Sequence, residues 1–272
     1  MEVFNPFSLA GKTILVTGSS SGIGLAIAVS VSRMGANVVI NGRNFEKLEY
    51  TFAQLVGENN SIIAADLTKS EDIAKIADFV PPLDGIVHCA GIGHRMPAKM
   101  LTENDIDIVM KANFNGAVLL QAALLTKKKV KKDSSIVFIA SKAAEFPSPG
   151  NAIYSASKGA LISYARCLAL ELAPRGIRVN CICPAMVWTK LIMQNQVTLE
   201  QLQESEKSYP LKRYGKPEDV ANLAIYLLSD ASSWMTNSCI DLTGGAIVYE
   251  AGIYKSNILL SARARCNQRR TC

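Results

Sequence analysis

Tyr154 and Lys158 stand four positions apart in Tyr154-Ser155-Ala156-Ser157-Lys158, and Ser141 lies thirteen residues upstream of the tyrosine. At i and i+4 on a helix, a phenol and an ammonium share one face. A free tyrosine keeps its proton up to about pH 10 and is a poor proton shuttle near neutrality. An adjacent cation favours the phenolate, so such a pair can give a proton to a carbonyl oxygen or take one from an alcohol. Tyr-x-x-x-Lys pairs also arise by chance on solvated helix surfaces. Here the context adds weight, because the pair opens a helix behind a strand-end serine and downstream of a glycine-rich turn.

That turn is Thr17-Gly18-Ser19-Ser20-Ser21-Gly22-Ile23-Gly24, set between an apolar run and a helical segment. Glycines let a backbone turn sharply and approach a pyrophosphate, whose charge then meets free N–H groups and a positive helix end. The turn reads as the seat of a dinucleotide, with Gly18, Ser20, Ser21 and Ile23 against it. The next apolar run ends in Val39-Ile40-Asn41-Gly42-Arg43-Asn44, without the acid that would bind a ribose 2′-hydroxyl. Arg43 instead offers a planar fork suited to a 2′-phosphate, which favours NADP(H) over NAD(H). Ser21 adds no second positive charge. In Ala65-Asp66-Leu67-Thr68 the carboxylate either accepts a hydrogen bond from adenine or caps the helix that follows.

These residues need a frame, and hydrophobic periodicity supplies one. Thr13–Thr17, Asn37–Ile40, Ser61–Ala65, Gly85–Cys89, Ser135–Ala140, Arg178–Cys183 and Cys239–Leu242 read as strands. Helical patterns fall at Ile23–Met34, Phe45–Val56, Ser70–Phe79, Glu103–Lys128, Ala152–Leu172 and Pro217–Leu228. Strands apolar on both faces, alternating with helices, predict an α/β doubly wound (Rossmann) fold: a seven-stranded parallel sheet with helices on both faces and ligands at the carboxyl ends of the strands. Residues 1–245 make one domain. Within it 189–209, with a polar helix over Thr198–Glu206, departs from the alternation and reads as a substrate lid. Residues 246–272 read as an extension, disordered or extraneous to the fold.

The net charge of +6 does not point to nucleic acid, because five basic residues against one acid lie in 246–272 and account for most of the excess. Seven cysteines without a C-x-x-C and only two histidines are poor material for a metal site. An odd cysteine count with no secretory leader suggests reduced thiols and a cytoplasmic protein. No uninterrupted apolar run reaches the ~18 to 20 residues that cross a bilayer.

Taken together and in order, the motifs resemble the short-chain dehydrogenase/reductase family over residues 9–245. The family's T-G-x-x-x-G-x-G stands as Thr17 to Gly24, and its Ser and Tyr-x-x-x-Lys as Ser141, Tyr154 and Lys158. Its helix asparagine stands as Asn113 in Lys111-Ala112-Asn113-Phe114-Asn115-Gly116. Arg178-Val179-Asn180 leading to Pro184, Thr189 after Val187, Gly215-Lys216-Pro217-Glu218-Asp219-Val220 and Asp241-Leu242-Thr243-Gly244-Gly245 complete the set. The resemblance implies an oxidoreductase that interconverts a carbonyl and a secondary alcohol. Tyr154 would be the acid/base, Ser141 the hydrogen-bond partner of the substrate oxygen, and Lys158 also the holder of the nicotinamide ribose. Asn113 would retain a water that links Lys158 to solvent. Asp66, with Leu67 beside it, would contact adenine, and backbone around Ala90, Pro184 and Val187 with the Thr189 side chain would surround the cofactor.

The chain departs from the family at His88-Cys89-Ala90-Gly91, where Asn-Asn-Ala-Gly is usual, and His88 reads as a structural substitute that hydrogen-bonds backbone. Ala185 replaces a usual glycine. His94 and Arg95 read as substrate contacts or as solvated residues. The segments Pro210-Leu211-Lys212-Arg213 and Gly215-Lys216-Pro217-Glu218-Asp219 resemble the bacterial 3-oxoacyl-carrier-protein reductases in particular. In that group basic residues meet the acidic carrier. Lys127-Lys128-Lys129-Val130-Lys131-Lys132 and Arg175 occupy similar places, unless they form only a solvated loop. A steroid, sugar or small secondary alcohol is the alternative substrate class, and a non-catalytic nucleotide sensor the alternative of another kind. The resemblance also implies a homotetramer or homodimer.

Overall fold

Ile14-Leu15-Val16, Val38-Val39-Ile40 and Ile136-Val137-Phe138 are buried along their whole length, as strands covered on both faces must be. The computed structural model describes residues 4–193 and 198–246. Strands Thr13–Thr17 (β1), Asn37–Gly42 (β2), Ser61–Ala64 (β3), Leu83–His88 (β4), Val130–Ile139 (β5), Arg178–Pro184 (β6) and Cys239–Leu242 (β7) form one parallel sheet in the order β3-β2-β1-β4-β5-β6-β7. The order reverses between β1 and β4, and that switch opens a crevice at the carboxyl ends.

Alternate strand residues feed two separate cores. Ile14, Val16, Val38, Ile40, Val87 and Val137 pack under Gly22–Arg33 (α1) and Pro217–Leu228 (α9). Leu15, Val39, Ile86, Ile136 and Phe138 pack under Ser70–Phe79 (α3), Gly116–Thr126 (α5) and Ala152–Leu172 (α6). Phe45–Phe52 (α2) joins β2 to β3, and Glu103–Met110 (α4) precedes α5. Two short helices, Lys190–Met193 (α7) and Leu199–Glu206 (α8), fall in the expected lid.

Several elements differ from expectation. The predicted helix to Val56 ends at Phe52, because the chain turns and Val56 donates its N–H to Ser32 Oγ at 3.0 Å. The predicted helix Glu103–Lys128 is broken by a π turn over Lys111–Asn115. β5 begins at Val130 rather than Ser135, with Asp133 at φ 60 and a register shift against β4. Cys89 leaves the expected strand and gives its N–H to Thr17 Oγ1 at 3.0 Å. Glu103–Thr126 is long and apolar enough to cross a membrane, but it lies on the sheet with Val109, Asn113, Leu120 and Leu124 buried. The extension from residue 247 onward lies outside the described residues.

Candidate active site

The ends of β1 and β4 are tied together by Thr17, whose Oγ1 donates to Val87 O and accepts from the N–H groups of Cys89 and Ala90. Gly18, at φ +67, then passes so close that a Cβ on it would lie 2.7 Å from Ala90 Cα. A Cβ on Gly24 would lie 2.3 Å from the Gly18 carbonyl oxygen. Only glycine fits at either place. Among the described residues no side chain caps the N-terminus of α1, and its first turn holds no acid. Its N–H groups and positive end therefore open on the cleft, which is what a dinucleotide pyrophosphate requires.

The cleft has a volume of about 1720 Å³. Of the residues singled out from sequence, Gly18, Ser20, Ser21, Ile23, Arg43, Asp66, Leu67, Ala90, Ser141, Tyr154, Lys158, Pro184, Val187 and Thr189 all line it. Asn113 does not, because it is buried behind the cleft wall in the π turn. There its Oδ1 accepts from Ile92 N at 2.7 Å, and its Nδ2 donates to Ile92 O at 3.0 Å and Ser157 Oγ at 3.1 Å. The extra residue of the π turn aims this amide at α6 and at the β4 loop together. Lys158, buried, donates to Ile139 O at 2.8 Å, and its Nζ lies 5.9 Å from the Tyr154 ring centre. Ser141 starts a short turn and accepts from Ala143 N at 3.1 Å.

At the far end, Asp66 Oδ1 accepts from Thr68 N at 3.0 Å and Thr68 Oγ1 at 2.9 Å. It therefore closes a tight turn and is not the cap of α3, whose N-cap is Lys69. Arg43 is exposed at the mouth. Lys47, in the first turn of α2, lines the same end and adds the second cation that sequence reading did not find, with Glu46 beside it. Its position three residues past Asn44, the N-cap of α2 that accepts from Lys47 N, was the available signal.

At the substrate end, Thr189 lies over the glycine turn, its Cγ2 3.4 Å from where a Gly22 Cβ would be. The segment expected to be a lid is held by an aromatic knot: Trp188 Nε1 donates to Glu206 Oε2 at 2.8 Å, Tyr214 N donates to the same oxygen at 3.3 Å, and Tyr214 packs on Trp188 and Tyr209. Ala185 gives its N–H to Leu242 O at 3.1 Å and lines the cleft. His94 lines it too, but its Nε2 meets Asp105 Oδ1 at 2.8 Å, so it is neither free nor simply solvated. Arg95 is a further lining residue.

His88 differs from expectation. It is buried against Phe138, ring centres 4.6 Å apart, and pairs with the side chain of Gln121 at 2.9 Å rather than with backbone. Burial pushes its pKa down to about 4, against the opposing hydrogen bond from Gln121. The lysine run is partly tied down: Lys127 pairs with Asp78, Lys131 with Asp84 at 2.8 Å, and Lys129 reaches Val80 O at 2.6 Å. It lies where β5 begins, at the opposite end of that strand from Ser141.

A switch-point cleft with a glycine turn at one end and a serine, a tyrosine and a lysine at the other defines a nicotinamide dinucleotide oxidoreductase. A family model described as enoyl-(acyl carrier protein) reductase matches residues 18–246. The 3-oxoacyl-[acyl-carrier-protein] reductase FabG of Rickettsia felis is 34% identical over 240 residues, 88% of this chain and 98% of that protein. L-xylulose reductase of Caenorhabditis elegans is 34% identical over 249 residues, 88% of this chain and 97% of that protein. A solved structure of a putative NAD(P)-dependent gluconate 5-dehydrogenase from Beutenbergia cavernae, with bound NADP, superposes with a TM-score of 0.80 at 32% identity over 89% of this chain and 98% of that one. The chain belongs to the short-chain dehydrogenase/reductase family and is an oxidoreductase.

Proposed function

We propose that this oxidoreductase prefers NADP(H) and interconverts a 3-oxoacyl group and the corresponding 3-hydroxyacyl group, with Tyr154 as the proton donor and acceptor. The observation that carries the chemistry is the convergence of Ser141, Tyr154 and Lys158 on one wall of the cleft, with Lys158 Nζ held at Ile139 O beside the tyrosine ring. When bound, the nicotinamide supplies or accepts the hydride. Ser141 orients the substrate oxygen, and Tyr154 delivers or removes its proton. Lys158 keeps positive charge next to the phenol oxygen as that proton moves. Asn113 holds the Ile92 loop and Ser157 in place, so Lys158 keeps its position.

Arg43 and Lys47 at the mouth support the 2′-phosphate reading. The relatives named as 3-oxoacyl-carrier-protein reductases support the acyl substrate. A second reading, a sugar-like or other small secondary alcohol, is favoured by a different observation: the basic run that would receive a carrier is partly ion-paired and lies at the far end of β5 from the cleft. A panel of a 3-oxoacyl thioester, L-xylulose and gluconate, read by nicotinamide absorbance with both cofactors, separates the two. The acyl reading predicts the highest kcat/KM for the thioester with NADPH, and it fails if a polyol is turned over best. If replacing Lys127, Lys128, Lys131 and Lys132 leaves kcat/KM for the carrier-bound substrate unchanged, carrier docking at that run is wrong. We also infer a homotetramer or homodimer, supported by the exposed Ile106, Ile108, Leu119 and Leu170 on α4, α5 and α6. A monomer by analytical ultracentrifugation would overturn it.

A further inference from the structure

Away from the cleft chemistry, β6 and β7 carry three thiols that hydride transfer does not use. Cys181 and Cys183 are buried on β6, and Cys239 is half-buried on β7, which among the described residues is an edge strand paired on one side only. Cys181 and Cys239 are register partners, and all three side chains pack with the core under α6. The two β6 thiols and Arg166 of α6 are the groups that act on Cys239 electrostatically. The Cys181 and Cys183 thiols and the Arg166 guanidinium hold the Cys239 thiol down to about 3 against the effect of burial, while Cys239 and burial push Cys181 and Cys183 up. The cluster therefore sets the most exposed of the three thiols in register with a buried one.

Geometry chooses between the two neighbours. Adjacent strands lie about 4.8 Å apart, so the directly paired Cys181 and Cys239 fall within the Cα separation of roughly 4.4–6.8 Å that a disulfide spans. Cys183 is two residues further along β6, about 8 Å from Cys239 on the diagonal, beyond what a disulfide bridges without backbone movement. Because β7 is an edge, it can also shift by the small amount that bond formation needs without breaking a second ladder.

We propose that Cys239 and Cys181 are an oxidation-sensitive dithiol whose oxidant is hydrogen peroxide, with the more exposed Cys239 attacking and its register partner Cys181 resolving. The Cys239 thiolate attacks one peroxide oxygen and the O–O bond breaks. Cys239 becomes a sulfenic acid, and hydroxide leaves to take a proton from solvent. The Cys181 sulfur then attacks the Cys239 sulfur, the S–O bond breaks, and the hydroxyl departs as water with the Cys181 proton. Two thiols are oxidised, one peroxide is reduced, and two waters form.

Two measurements on the full chain test this. In the unmodified protein at about pH 6, limiting iodoacetamide is expected to label Cys239 at least about tenfold faster than the exposed Cys167, because thiolate fraction sets the rate. Equal or slower labelling would overturn the proposal, and no variant has to fold for it to be read. After peroxide treatment, peptide mapping is expected to find a Cys181–Cys239 disulfide that dithiothreitol reverses, that forms in Cys183→Ser, and that is absent in Cys181→Ser. No disulfide, one that persists in Cys181→Ser, or one joining Cys239 to Cys266 or Cys272 would each overturn it.

Discussion

The two ends of the cleft are built by different means. The cofactor end is made of backbone: Gly18 and Gly24 pass within van der Waals contact of other main chain, and Thr17 and Ser19 tie strand ends through carbonyl groups. The substrate end is made of side chains. There Glu206, Trp188, Tyr209 and Tyr214 hold the segment expected to be a lid, whose described residues contain only the short helices α7 and α8. A site made of backbone tolerates few residues and so carries a recognisable pattern. One made of packed side chains accepts many solutions, which fits a family whose relatives here are named for an acyl carrier, a sugar and gluconate.

The comparison can be broken most severely at the catalytic wall. Tyr154→Phe is expected to lower kcat by about 10³-fold while the Kd for NADPH, from fluorescence titration, moves less than about twofold. Retained turnover would remove Tyr154 from the mechanism. At the backbone-built end, Gly24→Ala puts a methyl 2.3 Å from a carbonyl oxygen and is expected to cost about 3 kcal/mol in denaturant unfolding. Gly159→Ala, where a Cβ meets nothing within 4 Å, is its control and is expected to be neutral or slightly stabilising.

His88 tests the support beneath that end. Its folded pKa of about 4 lies below the ordinary 6.5, so the unfolded chain binds the proton first as pH falls. Stability from this group is full above about 6.5 and is lost as pH drops toward about 4, by roughly 3 kcal/mol. His88→Asn is expected to flatten that part of the pH–stability curve, and an unchanged slope would assign it elsewhere.

The lid is probed by Glu206→Ala, which leaves Trp188 Nε1 and Tyr214 N without their acceptor and is expected to cost about 1–2 kcal/mol. It should raise KM for substrate more than it lowers kcat, with Glu206→Gln restoring most of the loss. The smallest effect is expected at the mouth: Arg43→Ala raises KM for NADPH about tenfold and leaves that for NADH unchanged. Equal changes for both cofactors would refute the 2′-phosphate contact.

Much of this was legible before any coordinates. The strands Thr13–Thr17 and Cys239–Leu242 and the helices Ser70–Phe79, Ala152–Leu172 and Pro217–Leu228 fall where periodicity put them, because alternating burial leaves a direct trace in residue type. The break at Lys111–Asn115 left no such trace, since a π turn keeps helical composition while changing only which way Asn113 faces. Lys47 and the Glu206 knot were missed for a related reason: a lysine on a helix and a glutamate in a polar stretch look solvated until the fold turns one toward the cleft and closes Trp188 and Tyr214 on the other.

By itself, then, the sequence determined the parallel sheet, the glycine turn and the Ser141, Tyr154, Lys158 wall, because each depends on local spacing and backbone freedom. Tertiary structure alone decided that Asn113 stands behind the cleft rather than in it, that His88 pairs with Gln121, that Lys47 joins Arg43, and that Cys181 meets Cys239. Apart from Lys47 and Arg43, which share one segment, those are contacts between residues far apart in the chain, and their energies depend on burial and direction, which no single segment encodes.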